Sequence, residues 1–266
     1  MKRKASDGLP ARTGRIWTRE KLNYLQKYAS VFMTAMRSKW SRLIYIDLLA
    51  GPGRDIDPDT GEEFQGSPLI ALNVRPKFDH LFFNDNDPAN IAALDARIPV
   101  FDRVRVTVSK ADCNQIVDEI VGKIEKRTLA LAFIDPQGFE VRFDTLARLA
   151  RHQVDVVYLF PSGIGVRRNL KNFLANQQSG MMDAFWGGND WREISDWRFF
   201  VFEYCRKLLR AGFKCQADAV PLFKNTKNAQ MYHLLYFSHH PLGPRLWKGI
   251  QGIEPGGQRK LLFPHK

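Results

Sequence analysis

Tyr45-Ile46-Asp47-Leu48-Leu49-Ala50-Gly51-Pro52-Gly53-Arg54 is the stretch whose reading decides the fold. An apolar run carrying one carboxylate enters a glycine-containing bend, as the first strand of a nucleotide-binding α/β sheet does. Gly51 and Gly53 lack Cβ, so the backbone there can take positive φ and a ligand can lie against it. Ligands of open α/β sheets bind beyond the carboxyl ends of the strands, which makes the bend a candidate site. Only two glycines of the longer fingerprint are present, so the alternative is an ordinary strand-to-loop turn.

The flanking sequence favours the first alternative. Upstream, Leu22, Leu25, Tyr28, Ala29, Phe32 and Met33 recur on one face, predicting a helix over Thr18 to Lys39 with Thr18 as its cap. Residues 1–17 are basic and lack such a pattern, and are expected to be a disordered arm. Downstream, Asp55 to Gly66 is polar and reads as a loop, and Ser67-Pro68 opens a short helix. Strands are then expected at His80 to Asn84, Val104 to Val108, Leu129 to Ile134 and Val154 to Phe160. Helical segments fall between them, at Ala89 to Arg97, Gln115 to Lys126 and Phe143 to Arg151. This alternation predicts an α/β fold, a mostly parallel sheet with helices on both faces. Residues 161–196 break the rhythm and read as an insertion able to cap the site. After a helix from Trp197 to Ala211, the runs Ala217 to Phe223 and Met231 to Ser238 flank a polar turn and predict an antiparallel closing hairpin. Residues 18–250 therefore read as one domain, and 251–266 as a basic tail.

Candidate chemistry collects at the expected strand ends. Asp85 follows the second strand, where a carboxylate accepts hydrogen bonds from ribose hydroxyls; with Asp87 it also suits a turn or helix cap. Asp112 follows the third strand, where it can receive the amine of a base or cap the next helix. Asp135-Pro136 follows the buried fourth strand, and a charge there is costly unless it is paired or opens onto the mouth of the site. Within the insertion, Arg167, Arg168 and Lys171 stand near Phe173, Trp186 and Trp191, a pattern suited to phosphates and unpaired bases, or to a solvated helix face over core tryptophans.

Composition sets outer bounds. The 266 residues carry a formal charge of +12, a field that attracts polyanions, nucleic acid before anionic membrane, or that only keeps the protein soluble. Cys113, Cys205 and Cys215 form no C-x-x-C pair, which fits a reducing cytoplasm and suggests neither a disulfide framework nor a cysteine zinc site. No apolar run approaches membrane-spanning length, Met1-Lys2-Arg3-Lys4 precedes no apolar segment, the histidines lack metal-ligand spacing, and no P-loop pattern occurs.

Asp47-Leu48-Leu49-Ala50-Gly51-Pro52-Gly53 resembles the first motif of class I S-adenosylmethionine-dependent methyltransferases. More narrowly, the chain resembles the three-Cys-motif partner protein family. The matching stretches are Tyr45 to Gly53, Gly66-Ser67-Pro68-Leu69-Ile70-Ala71-Leu72, Phe133-Ile134-Asp135-Pro136-Gln137-Gly138, Asp155 to Pro161 with Arg167, and Tyr232 to Gly243 with Trp247. The resemblance implies a Rossmann-like methyltransferase sheet with a reversed last strand, and a partner bearing a three-cysteine motif, itself similar to radical-S-adenosylmethionine proteins. It implies S-adenosylmethionine as cofactor, with Asp47, Ala50, Gly51 and Gly53 at its methionine end, Asp85 at the ribose, Asp112 on the adenine side, and Asp135 with Pro136 facing the methyl-transfer point. A non-catalytic nucleotide- or nucleic-acid-binding partner of the three-cysteine protein is the other function it allows. Amino-methyltransferases acting on bases often read D-P-P-Y after this strand. Here Asp135-Pro136-Gln137-Gly138 has no ring at the fourth place, and Phe139 comes one residue later.

Overall fold

In the computed structural model, which describes residues 3–175, 180–194, 196–218, 221–225 and 229–251, the chain builds its main sheet around five parallel strands. These are β1 (Arg42–Asp47), β2 (His80–Asp85), β3 (Val106–Lys110), β4 (Thr128–Ile134) and β5 (Val154–Phe160). They are followed by β6 (Cys215–Gln216), β7 (Leu222–Lys224) and β8 (Gln230–Ser238). The spatial order is β3-β2-β1-β4-β5-β8-β6, with β7 also pairing to β8. β8 runs antiparallel to β5, with Leu235 opposite Tyr158, so the last strand is reversed as expected. Of the expected strand from Ala217 to Phe223 only Leu222 and Phe223 are strand, at the start of β7; β6 ends just before Ala217, and residues 219–220 lie outside the described ones.

Every residue of β4 and β5 is buried, which is why both read as unbroken apolar runs. Side chains alternate between the two faces of the sheet. Ile44, Ile46, Ala132, Val156 and Tyr158 face a core shared with α4 (Cys113–Val121), α5 (Phe143–Leu149), α7 (Gly180–Trp186) and α8 (Trp197–Ala211). Leu43, Tyr45, Leu131, Val157 and Leu159 face a core shared with α1 (Ile16–Met36), α2 (Ser67–Asn73) and α9 (Leu242–Gln251). Helix α3 (Pro88–Arg97) joins β2 to β3. Helix α1 starts two residues before Thr18, and the N-cap Arg15 makes no side-chain cap hydrogen bond. Its six expected apolar positions are all buried.

The expected arm is ordered over most of its length. Arg3–Lys4 and Pro10–Thr13 form a hairpin, and Pro10–Thr13 pairs in parallel with Arg54–Ile56. Arg54–Ile56 pairs in turn with Glu63–Gln65, so the expected 55–66 loop is itself partly strand. Polar bonds hold this small sheet more than apolar burial does, which hides it from periodicity. The Arg97 guanidinium bonds Asp7, Pro10 O and Pro52 O, and the Ser6 hydroxyl bonds Glu63.

The insertion also differs from its expected role. Trp186 and Trp191 are fully buried, and their indole N–H groups are satisfied by Asp190 and Asp183. They are core residues with no face left for a base, because a buried ring has already spent its stacking surface on its neighbours. Phe173 packs edge-on against Phe139. Arg167 is exposed just before α6 (Arg168–Ala175), and the side chains of Arg168 and Lys171 lie outside the described ones. Of the expected 251–266 tail, only Gln251 is described, at the end of α9. Among the described residues, no helix is long and apolar enough to cross a membrane.

A buried polar knot ties α1 to the sheet. The Tyr28 and Tyr236 hydroxyls both donate to Asp155 Oδ2, at 2.8 and 2.7 Å, and Trp247 stacks on Tyr236 at 5.1 Å. Replacing Trp247 with alanine should destabilise the protein by about 3–5 kcal/mol through transfer and cavity terms. The expected reading is a lower urea midpoint, and a midpoint unchanged from wild type would contradict the packing described.

Candidate active site at the glycine bend

The strand order reverses between β1 and β4, and the bend after β1 lies at that reversal, where α/β sheets open a crevice. Gly51 and Gly53 have φ of +65° and +87°, the left-handed conformation that favours glycine. The bend is pinned from β2: the Ala50 N–H donates to Asn84 O, and the Gly51 N–H donates to Asp85 Oδ2 at 2.8 Å. The Asn84 amide donates to Leu48 O and Ala111 O, tying the ends of β1, β2 and β3 together.

A cavity of about 420 Å³ opens beside the bend. Ala50, Gly53 and Ser67 line one side, and Asp135, Pro136 and Gln137 after β4 line another. Trp17 and Lys21 from α1 and Tyr232 from β8 complete the wall, with Arg12 and Asp55 from the small sheet. No described residue of the insertion lines it, so the cover expected from residues 161–196 comes instead from the N-terminal hairpin and α1.

The carboxylates divide into distinct roles. Asp47 is fully buried, with the Leu49 N–H 3.3 Å from its Oδ1. Burial pushes its pKa up to about 7 against the opposing pull of a hydrogen bond from Ser67, so Asp47 supports the bend from behind. Asp55 is raised to about 6, again by burial, with Lys21 and Arg12 acting in the opposite sense. Asp135 Oδ2 pairs with Lys21 Nζ at 2.5 Å. Among the described residues nothing donates to its other oxygen. The Glu140 carboxylate receives the Gln137 and Gly138 N–H groups and so fixes the loop that carries Asp135.

Asp85 and Asp112 take the turn and cap roles that the sequence allowed as alternatives to free acceptors. Asp85 Oδ2 takes the Gly51 N–H and the Arg12 guanidinium, the latter at 3.0 Å. Its Oδ1 takes the Asp87 N–H and the Asn90 amide. Four donors fill the carboxylate's lone pairs. The Arg12 guanidinium lies so close over the bend that a Cβ on Gly51 would stand 2.6 Å from Arg12 Cζ. Asp112 caps α4, accepting the Asn114 N–H at 2.7 Å. The sequence reading did not single out Arg12, Trp17, Lys21, Asp55 or Tyr232. Lys21 did leave a signal: it falls on the helical stripe that continues through Leu25, Tyr28 and Phe32, a charge where an apolar residue is due.

The strand order and the placement of this cavity define a Rossmann-like α/β fold with a reversed last strand. Protein LPL1258 of Legionella pneumophila, described as family DUF519, is similar over 85% of this chain and 89% of that chain, at 14% identity and a TM-score of 0.54. The N-terminal domain of EvdMO1, solved in the presence of SAH and D-fucose, matches over 81% of this chain and 83% of its own, at 12% identity and a TM-score of 0.46. The methyltransferase domain of bacterial CtHen1-CN matches over 81% and 99%, at 13% identity and a TM-score of 0.39. No protein-family model matches the chain, and no curated protein matches it in sequence.

Removing the Asp85 carboxylate should destabilise the fold by about 3–5 kcal/mol, because the buried partners it leaves lose their acceptor. Asp85→Ala should therefore lower the melting temperature and make the N-terminal hairpin sensitive to protease, and an unaltered melt would show that the carboxylate is not structural. The raised pKa values of Asp47 and Asp55 carry a pH dependence. From the ordinary value of 3.8 up to about 7 for Asp47 and about 6 for Asp55, the folded state holds more protons than the unfolded state. Stability from these groups is thus greatest at and below about pH 4 and declines as pH rises to about 7. Asp47→Asn should flatten this decline in urea titrations between those limits, and an unchanged slope would remove Asp47 as its source.

Proposed function

We propose that the protein is an S-adenosylmethionine-dependent methyltransferase of the three-Cys-motif partner type. The observation that carries this reading is a cavity at the topological switch point presenting both signs of charge, Arg12 and Lys21 against Asp55 and Asp135, with Ala50 and Gly53 in its lining. A mixed-charge pocket against bare backbone suits the ammonium and carboxylate of the cofactor's methionine end. The residues therefore fit the group there, with Ala50 and Gly53 as the floor, Gly51 beneath the Arg12 guanidinium between them, and Asp47 holding that floor in place. At the ribose end, use of Asp85 requires Arg12 to withdraw, and Asp112 has one carboxylate oxygen beyond its capping bond for the adenine side.

The cofactor supplies an activated methyl group when bound. The chain's task is to orient the acceptor and to receive its proton. Asp135 is the residue proposed to do this, with Pro136 shaping the wall beside it; the Lys21 ammonium holds its Oδ2 in place. The +12 charge and exposed Arg167 support a polyanionic acceptor, to which Arg168 and Lys171 would add. The resemblance assigns a three-cysteine-motif protein as partner. The Arg12–Asp85 pair supports a second reading, a non-catalytic nucleotide-binding partner of that protein, because it closes the ribose acceptor.

Calorimetry with S-adenosylhomocysteine tests the first reading. Wild type should bind, and Asp135→Asn should keep that affinity within a few-fold while methyl transfer to total cellular nucleic acid falls by about 100-fold or more. Absence of binding at millimolar ligand would overturn the methyltransferase assignment. Binding with no transfer to any acceptor fraction would leave the second reading.

A further inference from the structure

The ring that follows Asp135-Pro136 in the chain does not serve the cavity. Phe139 turns into the insertion core, 4.7 Å from Phe185 and 5.6 Å from Phe173 between ring centroids. It also abuts Gly165, where a Cβ would stand 2.7 Å from Phe139 Cζ. The aromatic surface beside Asp135 comes from two remote elements, Trp17 on α1 and Tyr232 on β8. Both are partly exposed, and both line the cavity together with Leu159, Asp135 and Gln137.

This wall combines three recognitions. Trp17 and Tyr232 bring two aromatic rings to the lining, with the Arg15 guanidinium 5.9 Å from the Trp17 ring centroid, and such rings can stack on a flat heteroaromatic ring. Asp135 Oδ1, without a donor among the described residues, is an acceptor open to an N–H group. The Gln137 side-chain amide, in the same lining, carries an acceptor oxygen and an NH2 with two donors. An aliphatic amine would satisfy the carboxylate and waste the rings; a keto-bearing ring would satisfy the rings but offers Asp135 only its ring N–H, with a carbonyl oxygen beside it that the carboxylate repels.

We propose that the Trp17–Tyr232 side of the cavity binds an amine-bearing planar heteroaromatic ring, the chemistry of an amino nucleobase, as the acceptor. This rests on the methyltransferase reading and deepens it. Tyr232 supplies the ring that the Asp135-Pro136-Gln137-Gly138 run lacks, and Asp135 selects amine over carbonyl.

The test uses the full chain saturated with S-adenosylhomocysteine, so that the cofactor's own adenine position is filled. Cytidine and adenosine are titrated against uridine and inosine, which replace the amine by a carbonyl, with binding read by tryptophan fluorescence and ligand-observed NMR. The amino nucleosides should bind at least tenfold more tightly than their keto counterparts. Tyr232→Ala should weaken them by about 5- to 100-fold, Tyr232→Phe should restore most of the loss, and Asp135→Asn should erase the amine preference. S-adenosylhomocysteine affinity of Tyr232→Ala should stay within twofold of wild type. Equal binding of amino and keto nucleosides, or none while S-adenosylhomocysteine binds, overturns this proposal and leaves the methyltransferase reading intact. Failure of S-adenosylhomocysteine itself to bind overturns both. A Tyr232→Ala variant that loses S-adenosylhomocysteine instead assigns the ring to the cofactor and overturns the acceptor site.

Discussion

One carboxylate organises the site. Asp85, at the end of β2, gathers the Gly51 N–H, the Arg12 guanidinium, the Asp87 N–H and the Asn90 amide. Through the first it fixes a left-handed bend that would otherwise sample many conformations; through the second it draws the N-terminal hairpin over that bend. A buried carboxylate is tolerable only with its lone pairs filled, so the same four bonds that satisfy Asp85 also set where the bend, the hairpin and the start of α3 sit. Arg97 repeats the device from the far end of α3, reaching Asp7, Pro10 O and Pro52 O. The cavity is the space left between the bend so fixed and the loop after β4.

Much of the sheet was legible because parallel strands covered on both faces must be apolar throughout, as Leu129 to Ile134 and Val154 to Phe160 are. The reversed last strand was legible from the polar turn before Met231. The hairpin at residues 3–13 was not, because its sequence alternates nothing apolar and its stability comes from guanidinium bonds to residues such as Asp7 and Glu63. Sequence proximity also misled in the insertion. Trp186 and Trp191 stand near Arg167 in the chain, yet each indole finds its carboxylate partner within eight residues and turns into the core.

The candidate site was legible in its backbone and less so in its side chains. Ala50, Gly53, Asp135 and Pro136 all line the cavity. Asp47 lies behind the bend, where burial raises its pKa. Asp85 and Asp112 stand at the expected strand ends, but hydrogen bonds to their neighbours decide which way their oxygens face, and no spacing rule encodes that. Trp17 and Tyr232 were beyond sequence reasoning for a simpler reason: they meet only because α1 and β8 both pack on the face of the sheet that carries Leu159.

That meeting has a consequence for the order of assembly. The glycine bend, Asp85 and Asp135 belong to contiguous strand–helix units that can pair as they emerge from synthesis. The aromatic wall beside Asp135 cannot exist until β8, made late in the chain, docks antiparallel beside β5 and brings Tyr232 into the same lining as a helix made near the beginning. A nascent or nicked chain would thus carry the floor of the pocket with one side open to water. Competence to enclose a small molecule arrives in a single late step, the docking of the last strand, and is lost first when that strand peels away.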